Sequence, residues 1–256
     1  MIIGIVQARM SSRRLPGKVM KTVLDKPLIG YLLERLKYVK NLDKIVVATS
    51  TDPSNDLLCE YVSQQGIEVF RGSEDDVLDR YYQVACKYKA KVVVRLTADC
   101  PLLDPGVVSK VIAYFETHDC DYVSNGHPPT FPDGLDVEVF SFEVLKEAWE
   151  CAELKSEREH VTPYIVHSDK FNMGNVALKT DLSGERWTVD EPEDFLLIKS
   201  IIENLYVKNP TFDMNDILEY KKNNLEIFEI NQHIVPNEGY FYSLKNDYKV
   251  ERRTVK

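Results

Sequence analysis

Hydrophobic residues follow two different spacings in the first half of the chain. Four short runs rich in β-branched residues are typical of buried strands, at residues 2–6, 44–49, 67–70 and 92–96. Between these runs, apolar residues recur at helical spacing over residues 28–39, 54–65 and 77–89. This alternation predicts an α/β fold with a mostly parallel central sheet and helices on both faces, in which ligands bind beyond the carboxyl ends of the strands.

The pattern becomes less regular after a predicted helix at residues 105–117. Short predicted strands at 122–124 and 137–140 flank a loop rich in proline and glycine, which we expect to act as a substrate lid. Further helices are predicted at 142–153, 157–167 and 192–205, with strands at 172–177 and 186–189. We therefore expect one domain over residues 1–205, with an excursion at about 121–180 for lid or oligomer contacts. A helical tail over residues 206–256 should pack on this domain or on a second copy.

The 256 residues are 44% hydrophobic and 29% charged, a composition that supports a large globular core. A formal net charge of -9 argues against nucleic-acid binding, because neutralising phosphates needs a basic face. An anion site would therefore be a local basic pocket. Five widely spaced cysteines without a CxxC pair favour neither zinc nor disulfides and fit a reducing compartment. No run approaches the roughly 20 apolar residues of a membrane span, so we expect a cytoplasmic protein without membrane insertion.

The segment after the first predicted strand reads QARMSSRRLPGK, at residues 7–18. It combines hydroxyl groups and cations, namely Ser11, Ser12, Arg9, Arg13, Arg14 and Lys18. Because the segment follows the carboxyl end of a strand, these groups are placed to surround and neutralise a polyphosphate. Neither GxxxxGK[ST] nor GxGxxG is present, which excludes the P-loop and dinucleotide fingerprints. The alternative is a solvated basic loop that binds no ligand.

Two carboxylates follow other predicted strands. In VVVRLTADCPLLD a buried strand delivers Thr97 and Asp99 to the same sheet edge, and in RWTVDEPEDF Asp190 precedes a helix that starts at a proline. Two such acids suit Mg²⁺, which usually takes one or two protein carboxylates together with phosphate oxygens and water. Taken alone, Asp99 fits a helix cap or turn equally well, and the acids after Asp190 fit helix-start charges. Cys100 is expected to be a buried thiol rather than a nucleophile.

Together, the segments at 7–18, 95–102 and 187–195 resemble the CMP-sugar-acid synthetases, including CMP-Kdo synthetases. They are most similar to the cytidylyltransferases of the SpsF type, named for spore-coat polysaccharide synthesis, over roughly residues 1–205. The resemblance implies a nucleotide-diphospho-sugar transferase (Rossmann-like) fold, CTP as donor, a Kdo-like or nonulosonic sugar acid as acceptor, and Mg²⁺ as cofactor. Relative to the Kdo enzymes, Gln7 replaces proline, Thr97-Ala98 replace Gln-Gly and Cys100 replaces an acid. These departures suggest a different acceptor or base contact.

The resemblance also assigns roles residue by residue. The implied catalytic residues are Arg9, Lys18, Asp99 and Asp190, of which the two aspartates hold the metal. The implied nucleotide contacts are Gln7, Ala8, Arg9, Ser11, Lys18, Arg71, Ser73, Asp79, Arg80 and Thr97. The implied acceptor contacts are Asp133, Asp136, Arg158 and His160. Arg158 is the expected grip on a carboxylate, because a guanidinium group pairs with it bidentately. A surface helix start explains the 71–80 segment equally well, and turn acids or helix-start charges explain the acceptor set.

The basic loop and the two carboxylates predict a nucleotidyltransferase, and the resemblance implies that it joins CMP to a sugar acid and releases pyrophosphate in surface polysaccharide synthesis. Two other enzymes stay open: a sugar-1-phosphate nucleotidyltransferase, which should carry a glycine-rich loop in place of MSSRR, and a glycosyltransferase that uses a preformed nucleotide sugar. A non-catalytic nucleotide-binding subunit is the alternative outside enzymes, although it would not need two metal carboxylates. The helical tail and the segment 157–164 favour a homodimer.

Overall fold

The computed structural model describes residues 1–250 and is built around one sheet of seven strands. Its strands are β1 (Ile2–Gln7), β4 (Lys44–Ser50), β5 (Glu68–Gly72), β6 (Val92–Thr97), β7 (Tyr122–Ser124), β8 (Glu138–Ser141) and β9 (Met173–Asn175), and a separate hairpin pairs β2 (Thr22–Val23) with β3 (Lys26–Pro27). The order across the large sheet is β5-β4-β1-β6-β8-β7-β9. β8 runs antiparallel to both of its neighbours, whereas the remaining pairs are parallel.

Helices connect the strands and form the tail. They are α1 (Leu28–Leu36), α2 (Asp56–Gln64), α3 (Val77–Tyr88), α4 (Pro105–Thr117), α5 (Phe142–Cys151), α6 (Lys155–His160), α7 (Pro163–Val166), α8 (Pro192–Leu205), α9 (Met214–Lys222), α10 (Leu225–Glu229) and α11 (Glu238–Lys245). Two short 3-10 helices cover Lys18–Met20 and Pro53–Asn55. Within residues 1–250, no helix is both long enough and apolar enough to cross a membrane.

The sheet is buried on both faces, as expected when helical crossovers join parallel strands. In β1, Val6 belongs to the core shared with α1, α2, α4 and α8. The alternate residues Ile3 and Ile5 belong to a second core shared with α3, α5 and α7. Because side chains alternate along a strand, these two cores lie on opposite faces of the sheet. The predicted α/β architecture is therefore confirmed.

Several predicted elements are found with the same bounds, including the helices at 105–117 and 192–205. Two predictions are wrong. The predicted helix at 157–167 is two helices, because Val161 has a φ of 73° and Pro163 starts a new helix. Residues 186–189 form no ladder, since Arg186 makes only an isolated bridge to Asp133.

That bridge brings a distant loop onto the carboxyl edge of the sheet. Gly134 has a φ of 106°, and a Cβ atom at this position would lie 2.6 Å from the carbonyl carbon of Trp187. A glycine is thus required for both the backbone conformation and the close approach. This contact places the loop between β7 and β8 beside the chain that leads to Asp190.

The tail packs on the domain in two different ways. Phe212, Ile217 and Phe228 are buried in the core on the α8 face, so the first part of the tail extends that core. Helix α11, in contrast, contains no buried residue. It lies at the carboxyl edge of the sheet and lines the cavity described next.

Candidate active site

A cavity of about 920 Å³ opens at the carboxyl edge of the sheet. Its walls come from the basic loop after β1, the end of β6, the loop between β7 and β8, the helices α6 and α7, and the tail around α11. Single-ligand pockets usually measure roughly 300–1,000 Å³, so this cavity is near the upper end of that range. The place agrees with the rule that parallel sheets bind ligands beyond their carboxyl ends.

Lys18 connects the two predicted metal carboxylates. Its Nζ donates to Asp99 Oδ2 at 3.0 Å, to Asp190 Oδ1 at 2.8 Å and to the Val189 carbonyl at 2.8 Å. The left-handed backbone of Gly17, with a φ of 69°, turns the chain so that Lys18 points inward. The structure therefore gathers three residues that stand 81 and 172 positions apart in sequence.

These ionic contacts fix the charge of the cluster. Burial alone would raise the pKa of Asp99, but Lys18 and the Thr97 hydroxyl outweigh it and lower this pKa to about 2. Burial alone would lower the pKa of Lys18, but the two carboxylates outweigh it and raise this pKa. At neutral pH Lys18 is thus an ammonium group paired with an ionised Asp99.

Arg186 is a further partner of Asp190, in addition to Lys18. The sequence did not predict this residue as part of the site. Its Nη2 donates to Asp190 at 3.2 Å, and its Nη1 donates to Asp133 at 2.7 Å. It also pairs bidentately with the buried Asp194, which accepts the backbone N–H groups of Asp190 and Glu191. Asp194 thus caps the start of α8, as predicted for the acids in this turn. The available signal for Arg186 was a cation just before the acidic run.

The predicted acceptor acids Asp133 and Asp136 both line the cavity. Burial raises the pKa of Asp133 to about 7, with a further contribution from Asp136 that Arg186 partly offsets. Desolvation likewise raises the pKa of Asp136, and the Gly134 N–H, which donates to it at 2.9 Å, partly offsets this rise. These acids belong to the loop between β7 and β8, whereas the cations belong to the loop after β1.

The predicted nucleotide contacts divide into two groups. Those that line the cavity are Gln7, Ala8, Arg9, Lys18, Arg80 and Thr97. Ser11 instead donates its hydroxyl to Glu74 at 2.6 Å, and Arg9 lies 3.4 Å from the same carboxylate. Ser12, Arg13 and Arg14 also face the cavity.

Arg71, Ser73 and Asp79 do not line the cavity, and each contacts another part of the protein instead. Arg71 pairs with Asp56 at 2.7 Å, and Ser73 Oγ accepts the Asp76 backbone N–H at 3.2 Å. Asp79 accepts the indole N–H of Trp149 at 2.7 Å. The helix-start alternative therefore describes Ser73, whereas Arg71 and Asp79 contact side chains of other helices.

The prediction that Arg158 binds a carboxylate of the acceptor is wrong. Its guanidinium group pairs bidentately with Asp76 at 3.0 and 2.8 Å and donates to the Trp149 carbonyl at 2.6 Å. Arg158 is 3% exposed, and its ion pair connects α6 with the start of α3. His160, two positions later, does line the cavity, and its Nε2 lies 3.0 Å from Ser243 Oγ. Burial lowers the pKa of His160 to about 4, so it is neutral at pH 7.

A charged pair on the cavity wall was also missed. Arg95 on β6 pairs with Glu138 at the facing position of β8. Glu138 further accepts hydrogen bonds from Tyr122 at 2.6 Å and Thr162 at 2.7 Å. Charged residues inside otherwise apolar strands were the signal for this pair. Among the described residues, buried Arg95 Nε, Arg80 Nε and Gln7 Oε1 have no hydrogen-bond partner.

The chemistry of this set favours phosphate and metal binding over covalent catalysis. Cys100 is buried and burial raises the pKa of its thiol well above the usual range, so no thiolate is available, as predicted. Within residues 1–250, no group of three or more His, Cys, Asp or Glu is arranged to hold a metal. Two carboxylates facing basic side chains instead match a metal that shares its shell with a polyphosphate.

Comparisons with known proteins show the family of the chain. A sequence model of the family described as cytidylyltransferase matches residues 3–234. The spore coat polysaccharide biosynthesis protein SpsF of Bacillus subtilis is 34% identical, over 79% of this chain and 86% of its own length. A cytidylyltransferase structure from Leptospira borgpetersenii is 33% identical, with a TM-score of 0.85 over 91% of this chain and 98% of that one.

A further relative is the 3-deoxy-manno-octulosonate cytidylyltransferase of Geobacter sulfurreducens, which is 29% identical over 44% of each chain. The likeness to the Leptospira structure confirms the nucleotidyltransferase type of Rossmann-like fold predicted from the sequence. The family match spans nearly all of the described residues and includes both the basic loop and Asp190. The chain is therefore a nucleotidyltransferase that belongs to the cytidylyltransferase family.

Proposed function

We propose that the chain transfers CMP from CTP to a sugar acid of the Kdo-like or nonulosonic class, with release of pyrophosphate, in surface polysaccharide biosynthesis in the cytoplasm. The observation that carries this proposal is the contact of Lys18 with both Asp99 and Asp190 inside a cavity lined by further arginines. The names of the SpsF and octulosonate relatives support the pathway and the acceptor class.

The charge of the Lys18 cluster is compatible with Mg²⁺ bound to its two aspartates. One ammonium group already bridges Asp99 and Asp190 at 3.0 and 2.8 Å, so these oxygens are spaced to share a single cation. When bound there with CTP, Mg²⁺ would neutralise phosphate charge and lower the pKa of the acceptor hydroxyl. Lys18 would then be free to pair with the triphosphate.

The protein side chains have separate tasks in an in-line displacement. Arg9, Arg13 and Lys18 would neutralise the charge that develops on the leaving pyrophosphate. The wall that carries Asp133 and Asp136 would bind the acceptor and point its hydroxyl at the α-phosphorus. Bond formation between that oxygen and phosphorus accompanies cleavage of the bond to pyrophosphate, so the protein forms no covalent intermediate.

The test measures pyrophosphate release with CTP, UTP, GTP and ATP, each combined with Kdo, N-acetylneuraminate or a sugar 1-phosphate. We expect release only with CTP and a sugar acid. Release with a sugar phosphate alone would show the sugar-1-phosphate reaction instead. A free nucleoside diphosphate formed from a nucleotide sugar would show a glycosyltransferase.

Variants make the assignment residue-specific. Asp99→Asn and Asp190→Asn should each lower the rate about 100-fold or more, because positioned charge is the main catalytic contribution in such sites. Asp169→Asn, at an exposed position outside the cavity, is the matched control and should leave the rate unchanged. Retention of full CTP-dependent release in both cluster variants would refute the proposed site.

A further inference from the structure

Helix α11 and its flanks form one wall of the cavity without belonging to the core. The wall residues are Pro236, Asn237, Gly239, Tyr240, Phe241, Tyr242, Ser243 and Asn246. Phe241 and Tyr242 are 52% and 53% exposed, and the helix buries no residue. Burial of apolar surface therefore does not explain why this helix lies at the cavity.

Polar contacts hold the start of α11 against the basic loop. Glu238 accepts a hydrogen bond from Arg14 Nη1 at 3.0 Å, and Arg14 Nη2 also pairs with Asp190 at 3.0 Å. The Arg13 guanidinium lies 4.2 Å from the centre of the Tyr242 ring. The wall is thus linked directly to the groups expected to meet the triphosphate.

A second set of polar contacts holds the other end of α11 against α6. Ser243 Oγ lies 3.0 Å from His160 Nε2 and donates to Glu159 at 3.1 Å. The Tyr240 ring meets the His160 ring edge to face at 5.0 Å. Tyr240, His160 and Ser243 all face the cavity, so they form one surface across two elements.

The chemistry of this surface suits a sugar. Aromatic rings supply flat apolar faces, while hydroxyl, imidazole and amide groups supply hydrogen bonds in fixed directions. Surfaces of this kind discriminate well between ligands that differ in a hydroxyl, because an unmatched polar group is left without a partner.

The position of this wall relative to the segment shared by the family indicates that the wall binds the acceptor rather than CTP. The cytidylyltransferase sequence model ends at residue 234, before any of these wall residues. The family is described by its use of a cytidylyl donor, whereas the acceptor differs between relatives, two of which are named for 3-deoxy-manno-octulosonate and for 8-amino-3,8-dideoxy-manno-octulosonate. A wall outside the shared segment is therefore expected to bind what is not shared.

We propose that residues 236–246 form an acceptor-specificity wall, in which Tyr240 and Asn246, together with His160, contact the sugar part of the acceptor. The inference rests on the proposed function, since it names the part of the site that selects the sugar acid. The bound sugar lies between this wall and the edge of the sheet.

The kinetic test compares KM for the acceptor with KM for CTP in the full-length chain. Tyr240→Ala and Asn246→Ala should raise KM for the sugar acid about tenfold and leave KM for CTP within twofold. Leu244→Ala and Lys245→Ala are matched controls on the same segment that do not line the cavity, and both should behave as the wild type. An unchanged acceptor KM in both wall variants, or an equal rise in both KM values, overturns the proposal.

A binding readout separates this inference from the proposed function. Amide hydrogen exchange of residues 236–246 is measured in the wild type with CMP, CMP-N-acetylneuraminate and CMP-Kdo. At least one CMP-sugar should slow exchange in this segment beyond the effect of CMP, even if no pyrophosphate is released in the reaction. If neither CMP-sugar changes exchange there, the wall does not contact the sugar and the inference fails. Absence of pyrophosphate release with slowed exchange refutes the reaction but supports the wall.

Discussion

Replacing Lys18 by methionine removes the ammonium group shared by Asp99 and Asp190 while keeping most of the buried side-chain stem. Asp190 retains its contacts with Arg14 and Arg186, so the loss falls mainly on Asp99. The pKa of Asp99 is lowered from 3.8 to about 2 in the folded protein. Each pKa unit corresponds to about 1.4 kcal/mol, and partial exposure reduces the effect, so we expect a loss of about 2 kcal/mol in unfolding free energy at pH 7.

The pH dependence of this loss identifies its electrostatic origin. Asp99 has a lower pKa in the folded state than in the unfolded state, so its stabilising contribution is present above pH 4 and disappears as the pH falls through about 2. The difference between wild type and Lys18→Met should therefore be roughly halved at pH 3. At neutral pH, the variant should melt about 4–8 °C below the wild type.

Urea unfolding at pH 7, 5 and 3 measures both effects on the same samples. Lys40→Met, at an exposed position, is the control for removing a positive charge and should change the unfolding free energy little. An equal loss for Lys18→Met at pH 7 and pH 3 would show that packing, and not charge, stabilises this position. No loss at pH 7 would refute the shared ion pair altogether.

Three further predictions concern Gly134 in the loop between β7 and β8, the pKa of His160 and the structural role of Arg158. Gly134→Ala should destabilise the fold by about 2 kcal/mol or more in urea unfolding, because its Cβ would meet the Trp187 backbone at 2.6 Å, whereas Gly184→Ala has open space and should be neutral. His160 has a folded-state pKa of about 4, below its unfolded value, so the free energy of unfolding rises with pH between about 4 and 6.5. His160→Gln should remove on the order of 2 kcal/mol of that rise. Unfolding curves at pH 4.5 and pH 7 measure the difference. Arg158→Lys should lower the melting temperature but leave the acceptor KM unchanged, and a selective rise in that KM would restore Arg158 as the acceptor grip.

The sequence predicts those parts of the fold that have local signals. Helices α4 and α8 both begin at a proline that follows an acid, and both have the predicted bounds. The buried strands β1, β4 and β6 follow from their β-branched runs. Asp99 and the basic loop were predicted to share one sheet edge because each follows a parallel strand, and Asp190 was placed with them by the resemblance and by a predicted strand at 186–189. That strand does not form, but the structure still brings Lys18 into contact with both aspartates.

The places of the remaining site residues depend on side-chain directions, which the spacing of residues along the sequence does not give. Arg158 and His160 are two residues apart on a short helix, so they point to different sides, and only the packing of α6 decides which one meets the cavity. The partner of Arg95 lies 43 residues away on a strand that runs in the opposite direction. The tail shows no strand and helix alternation, and its position follows from contacts with Arg14 and Ser156 that no local pattern reveals.

Strand β6 lies where the sheet changes direction, with the parallel strand β1 on one side and the antiparallel strand β8 on the other. Its carboxyl end therefore belongs to two halves of the molecule at once: Thr97 pairs with Gln7 beside the basic loop, and Arg95 pairs with Glu138 across the boundary. The parallel half consists of β5, β4, β1 and β6, and each strand pairs in register with its neighbour. Through its pairings with β1 and β8, β6 connects the strand that leads into the basic loop with the strand that follows the loop of Asp133 and Asp136, so a shift of β6 would alter both walls of the cavity.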